Sequence, residues 1–290
     1  MSDRLNNVLD LLKVEDLGDG AFLGAQPNDD RERLRVYGGQ VAGQAIAAAA
    51  RTTSRRPHSM HLSFLRPGDT TIPLRYDVVS LREGRTFSTR RVTASQDGVV
   101  VMEAMASFII DVDGDEYQQP MPEVPDPESL TPLDEQLREH LPADDDYLEM
   151  VAFRVAEMRY VDLPPRIAVD APPREDPRTR IWLRLEEDPP AELLADPVLA
   201  VALLAYISDW TILDPVQIAL GKTWQQLEKL ASLDHAMWWH RPVDFADWLL
   251  YEQRTGTVTG GMGLGTGAIY NRDGSLVCTV TQEGFVGRRL

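Results

Sequence analysis

Residues 38–50 read G-G-Q-V-A-G-Q-A-I-A-A-A-A, small or apolar on nearly every side, and the spacing predicts a helix with no polar face. A second run, P-V-L-A-V-A-L-L-A-Y-I-S-D-W-T-I-L at 197–213, is apolar all round and predicts another. Such a helix must be buried on every side, so each needs a layer of other elements wrapped around it. The remaining regular segments read as strands: Ile72 to Leu81, Arg85 to Ser95 and Val99 to Ile110, then Thr179 to Leu185, Trp248 to Thr259 and Gly267 to Gln282. Asp97-Gly98 and Asp273-Gly274 separate paired runs as hairpin turns do. One buried helix followed by antiparallel strands, twice over, predicts two curved sheets, each closed around its own helix.

The two halves repeat each other. S-M-H-L-S-F-L-R-P-G-D from Ser59 aligns with D-H-A-M-W-W-H-R-P-V-D from Asp234, and D-G-V-V-V-M-E from Asp97 aligns with D-G-S-L-V-C-T from Asp273. The offsets, 175 and 176, are nearly equal and the order is kept, which favours a duplicated domain. Between the halves, 112–173 is rich in Pro, Asp and Glu and reads as an extended linker with one short helix near Glu135 to His140. The division expected is therefore 1–111, 112–173 and 174–290.

With 29 Lys and Arg against 46 Asp and Glu, the chain carries a net charge of −17. That balance argues against nucleic acid and against an anionic membrane as partners. The single cysteine, Cys278, permits no internal disulfide and no Cys-based zinc site. Leu5, Val8, Leu9 and Leu12 have helical spacing rather than the unbroken apolar core of a signal peptide. The longest uncharged apolar stretch, Val198 to Ile207, is too short to span a bilayer. The end G-R-R-L lacks a peroxisomal address, so a cytoplasmic location is expected.

Residues 260–267, G-G-M-G-L-G-T-G, invite comparison with a phosphate-cradling loop. No G-x-G-x-x-G starts there and no Lys follows. Glycine alternating with Met262, Leu264 and Thr266 has the period of a strand, and glycine inside a strand marks a bend or a close backbone approach. A bent, tightly packed strand is the reading that fits.

Taken together, G-G-Q-V-A-G-Q (38–44), H-S-M-H-L-S-F-L-R-P-G-D (58–69), L-R-E-G-R-T-F-S-T-R-R-V (81–92), Y-I-S-D-W (206–210), S-L-D-H-A-M-W-W-H-R-P (232–242), W-L-L-Y (248–251) and T-Q-E-G (281–284) resemble the acyl-CoA thioesterase II family. The resemblance implies an α+β double hotdog fold and cofactor-free, metal-free hydrolysis of fatty acyl-CoA. It further implies pairing of chains into a homo-oligomer. Carried over by motif, Asp209, Ser232 and Gln282 would hold and activate the attacking water. Between Gly260 and Gly267 this chain has more glycines and fewer charges than the family pattern.

The residues make chemical sense on their own terms. Asp209 is the one charge between Val198 and Leu213, and a carboxylate in so apolar a run is hydrogen-bonded, protonated or functional. A hydroxyl at Ser232 and an amide at Gln282 both donate and accept. No G-x-S-x-G elbow supports a serine nucleophile.

Asp234 competes for the role of base, sharing a strand face with Ser232, and His61 is the next site candidate. The pairs His58/His61 and His235/His240 fall on opposite strand faces and read as structural. Arg82, Arg85, Arg90 and Arg91 are the densest basic run, either a solvated strand face or a landing place for coenzyme A phosphates. Trp210, Trp238 and Trp239 are core residues or the lining of an acyl tunnel. A hotdog hydratase or dehydratase, or a non-catalytic acyl-CoA-binding protein, are the alternatives; the first needs a His beside the acid, which the second apolar helix lacks.

Overall fold

The computed structural model describes residues 4–27, 35–145, 147–148, 151, 154–168, 175–222 and 230–287. Residues 288–290 and parts of the 112–173 stretch lie outside the described residues. The chain opens with α1 (Arg4–Leu12), whose Leu5, Leu9 and Leu12 are buried at helical spacing. The hairpin β1 (Val14–Gly18) and β2 (Ala21–Gly24) precedes α2 (Gly38–Ala50). Strands β3 (Arg56–Phe64), β4 (Arg75–Glu83), β5 (Phe87–Gln96) and β6 (Val99–Ile109) follow. After α3 (Leu133–His140) come β7 (Ala156–Tyr160), β8 (Arg178–Leu185), α4 (Ala191–Ala195), α5 (Pro197–Ser208) and α6 (Asp214–Leu220). The chain ends in β9 (Ala231–Ser232), β10 (Asp234–Trp239), β11 (Leu249–Thr259), β12 (Met262–Asn271) and β13 (Leu276–Phe285).

All pairings are antiparallel, and the order is β1-β2-β4-β5-β6-β3-β10-β13-β12-β11-β8-β7, with β9 added on β13. The two sheets expected from the sequence are therefore one, continuous across β3 and β10. Pairing those strands removes two sheet edges whose unpaired N–H and C=O groups would otherwise need water. The seam reflects the sequence repeat. His61 and Ala236, themselves 175 residues apart, face each other, with Met60 opposite Met237 and Leu62 opposite His235 on either side. A local twofold relation thus passes between His61 and Ala236.

Inside the curve, α2 packs against β3 to β6 and against α5. The helices touch through backbone: a Cβ on Gly39 would lie 2.5 Å from Tyr206 O, and one on Gly43 2.9 Å from Ala202 O. Gln44, fully buried on α2, is satisfied by Leu11 O at 2.6 Å, Ala25 O at 2.8 Å and the Tyr76 hydroxyl at 2.8 Å.

Three further expectations need correction. The helix expected at 197–213 stops at Ser208 and restarts at Asp214. Pro215 has no N–H for the Thr211 carbonyl and its ring would collide with that group in a continuous helix; it sits instead in the first turn of α6. The strand expected at 267–282 is two strands, β12 and β13, joined through Asp273-Gly274, and β12 begins at Met262 after a Gly260-Gly261 turn with both φ positive. The stretch read as linker contributes β7, which pairs with β8. Its five residues, A-E-M-R-Y, alternate buried and half-buried, a signal too short to stand out among prolines.

Candidate active site

Asp209 caps the C-terminal end of α5 in an αR conformation. Its carboxylate lies over the start of α2: a Cβ on Gly38 would sit 2.8 Å from Oδ2, and the Gly39 N–H faces the carboxylate and favours its charged form. The N-terminus of α2 in one half thus faces the helix end that carries the acid in the other. Burial raises the Asp209 pKa above its ordinary value; the His235 ring, the Gln282 amide, the Gly39 N–H and Arg35 pull the other way without cancelling it. The residue still keeps some surface open to solvent.

Gln282 points inward from β13 and is 1% exposed. Its Nε2 donates to Ser232 Oγ at 2.8 Å, and its side chain lies beside the Asp209 carboxylate and favours the charged form. Ser232 reaches this position because β9 pairs with the end of β13, Ser232 opposite Gly284. The three residues chosen by motif are therefore brought together from α5, β9 and β13.

Behind Gln282 lies a residue that the sequence reading set aside as structural. His235 Nδ1 donates to Gln282 Oε1 in a short hydrogen bond, while His235 Nε2 lies 3.0 Å from Ser208 Oγ. The Gln282 oxygen is thereby occupied, and the amide presents only N–H groups to Asp209 and Ser232. His235 shares its strand phase with buried Met237 and Trp239. That phase was the available signal that it faces the site rather than solvent.

The glycines of β12 now have a reason. Gly263, Gly265 and Gly267 face inward, and the turn after α5 lies directly on them. A Cβ on Gly265 would sit 2.2 Å from Ile212 O, and one on Gly263 2.4 Å from Val216 Cγ1. Gly265 also pairs with Gln282. The run makes room for the segment that starts at Asp209, a close approach rather than a phosphate cradle.

Other sequence candidates lie elsewhere. His61 is exposed on the outer sheet face, its ring edge-on to Trp238 at 4.8 Å, whereas the helices and Gln282 occupy the inner one. Asp234 points the opposite way from His235 and accepts the Glu283 N–H at 2.7 Å. Arg90 is 2% exposed, its guanidinium spent on Thr52, Ser80 and Glu83. Thr52 follows the C-terminal end of α2, so Arg90 lies about 20 Å of helix away from Asp209. Arg91 sits on the outer face opposite Met105. The arginine run therefore does not converge on the site. His58 and His240 bond Ser107 and Thr279 hydroxyls.

Trp210 extends an edge-to-face series from Tyr37 through Tyr206, with ring centroids 5.1 and 5.9 Å apart. Among the described residues, no three His, Cys, Asp or Glu side chains group as a metal site.

A second buried polar cluster supports the turn. Asp214 accepts from the Tyr160 hydroxyl at 2.8 Å and from Gln217 Nε2 at 3.2 Å. Burial raises its pKa to about 7, against the Tyr160 hydrogen bond and the Arg154 charge. Because the folded value exceeds 3.8, this group's contribution to stability is full below about pH 4, declines as pH rises towards 7 and stays lost above. Asp214→Asn mimics the protonated form. Between pH 4 and 8 the variant is expected to gain on the parent by on the order of a few kcal/mol, read from paired urea unfolding curves. An unchanged difference across that range would refute the assignment.

Family models match the chain in two parts. The acyl-CoA thioesterase N-terminal domain covers residues 27–109, and the acyl-CoA thioesterase C-terminal domain covers 127–286. Acyl-CoA thioesterase 2 of Haemophilus influenzae is 35% identical over 294 residues, spanning 99% of each chain. The solved structure of a tesB protein from Mycobacterium avium subs paratuberculosis aligns with a TM-score of 0.78 at 37% identity, covering 98% of this chain and 99% of that one. A hot dog fold protein from Alicyclobacillus acidocaldarius aligns with a TM-score of 0.76 at 21% identity, covering 97% and 98%; that likeness concerns fold alone.

Proposed function

The chain belongs to the acyl-CoA thioesterase family and hydrolyses acyl-CoA thioesters, and from that premise we propose that Asp209, Ser232 and Gln282 carry the chemistry. We further read the architecture as a double hotdog, each half contributing one side of the β3–β10 seam, and the substrates as fatty acyl-CoA. A thioester carbonyl is already electrophilic, so water needs orientation and a base. Asp209 takes a proton from the water as its oxygen bonds to the carbonyl carbon. The C–S bond then breaks, and that proton leaves with the coenzyme A sulfur, giving free acid and free thiol.

The raised pKa of Asp209 suits a base whose carboxylate is partly desolvated. Gln282, held as a donor on the site side, stabilises negative charge as it develops on oxygen. The Ser232 Oγ, accepting from Gln282, keeps its own proton free to align the water. Tyr37, Tyr206 and Trp210 offer an apolar wall for the acyl chain.

The single observation that carries this reading is the convergence of the three side chains on one hydrogen-bonded centre at the start of α2. The hydratase alternative needs a histidine nitrogen free to exchange a proton with substrate. Both nitrogens of His235 are engaged inside the protein, which supports hydrolysis over hydration.

The test is thiol release from saturated and enoyl acyl-CoA, with double-bond absorbance followed separately. Gln282→Ala is expected to lower kcat by about 100- to 1,000-fold. Ser232→Ala should lower it as well, and the double variant should lose far less than the product of the two, since both act on one water. Loss of enoyl absorbance without thiol release would refute the reaction class, and full multiplicativity would refute the shared site.

A further inference from the structure

The Gln282 amide has two ends of nearly equal size and opposite hydrogen-bonding character, so nothing steric decides which faces the site. In the resting protein Asp209 helps to decide it: an ionised carboxylate only accepts, and it draws the NH2 end. During the reaction that help disappears. Once Asp209 has taken the water's proton it is itself a donor, and it no longer prefers the NH2 end over the oxygen. Ser232 is neutral in the matter, because a hydroxyl donates or accepts equally well. A donor on the site side is therefore least secured at the moment when charge develops on the substrate oxygen.

His235 supplies what the site lacks. Its Nδ1 donates to Gln282 Oε1 from the far side of the amide, and that bond does not depend on the protonation of Asp209. Its Nε2 lies 3.0 Å from Ser208 Oγ, a hydroxyl that donates to Ala205 O at 3.0 Å, so the far side of the ring is engaged with α5 as well. Ser208 directly precedes Asp209, so one helix end supplies both the acid and a hydroxyl that contacts the ring. The ring is 1% exposed, which removes water as a competing partner for Oε1.

We propose that His235 is a positioning residue that locks the Gln282 amide with its N–H groups towards the reacting centre throughout turnover. The proposal rests on the site reading above. It assigns His235 no contact with substrate and no proton transfer.

The experiment is a set of His235 variants measured by thiol release, each checked for folding by circular dichroism and thermal melting. Asn places an amide N–H where His carries Nδ1–H, whereas Gln places one near Nε2 and keeps the Ser208 side only. His235→Leu and His235→Gln are expected to lower kcat by about tenfold to a hundredfold with KM changed by less than about twofold, the loss that misplacing a reacting-site group brings. His235→Asn should return kcat to within about fivefold of the parent. In a Gln282→Ala background, His235→Leu should cost nothing further, because its partner is gone.

A purely structural histidine would instead show losses that follow the melting temperature and persist in that background. If Gln282→Ala alone keeps full kcat, the site reading falls and takes this proposal with it. If Gln282→Ala is impaired while the His235→Leu loss adds in full, or Asn rescues no better than Gln, the His235 proposal falls and the site reading stands.

Discussion

Asp209→Asn is expected to lower kcat by a factor of about 100 to 10,000, the usual worth of a general base, while KM changes little. Asn keeps the shape and still turns an oxygen towards the Gly39 N–H at the start of α2, but it cannot take a proton from water. The pH profile makes the same point. In the proposed mechanism deprotonated Asp209 is the active form, and burial raises its pKa. The kcat/KM of the parent should therefore fall with one proton as pH drops, at a midpoint above the ordinary carboxylate value of 3.8. That acid limb should vanish from the residual activity of Asp209→Asn. Asp234→Asn and His61→Ala serve as comparisons, because both residues lie on the outer side of the sheet. Hydrolysis that survives Asp209→Asn but is abolished by either comparison, in a folded protein, would move the base elsewhere.

Gly265→Ala should do comparable damage by packing alone. The added methyl would sit 2.2 Å from Ile212 O and 3.1 Å from Ile212 C. That is backbone, with no rotamer to move. Ordinary contact requires the turn after α5 to lift from β12 by roughly 1 Å. Forcing a methyl into a filled core costs about 1–3 kcal/mol, occasionally more. Asp209 begins the same turn and Gln282 pairs with Gly265 itself, so the shift separates the two groups that meet one water in the proposed mechanism. A displacement of that size is worth about a hundredfold in rate.

Gly256→Ala on β11 is the control, since a Cβ there meets nothing within 4 Å. Chemical denaturation and kcat should both distinguish the two substitutions. A Gly265→Ala protein as stable and as active as the Gly256→Ala protein would show that the turn does not rest on the glycine strand as described.

Much of this molecule is legible in local pattern. Helix α2 follows from a run with no polar face, and the hairpin β5–β6 from alternation around Asp97-Gly98, where both residues adopt positive φ. Asp209 stood out because one carboxylate interrupts an apolar run, and the glycines of β12 announced a close approach through their period of two. The seam was not read in advance, since two sheets were expected, yet it follows the repeat: segments 175 residues apart are neighbours across β3 and β10.

Other features depend on what lies across a gap in space, and local periodicity carries no such information. Alternation along β10 puts His235 on the inner face but does not say that Gln282 Oε1 waits there. A motif selects Gln282 but leaves open which end of its amide meets the acid. The apolar run 197–213 promised one helix, and Pro215 together with the floor of β12 divided it at the residue that matters. Sequence alone determined the apolar runs that are buried and most of the strands around them. Only the tertiary structure decided which buried polar atoms face one another, because hydrogen bonds are short and directional while hydrophobic burial is neither.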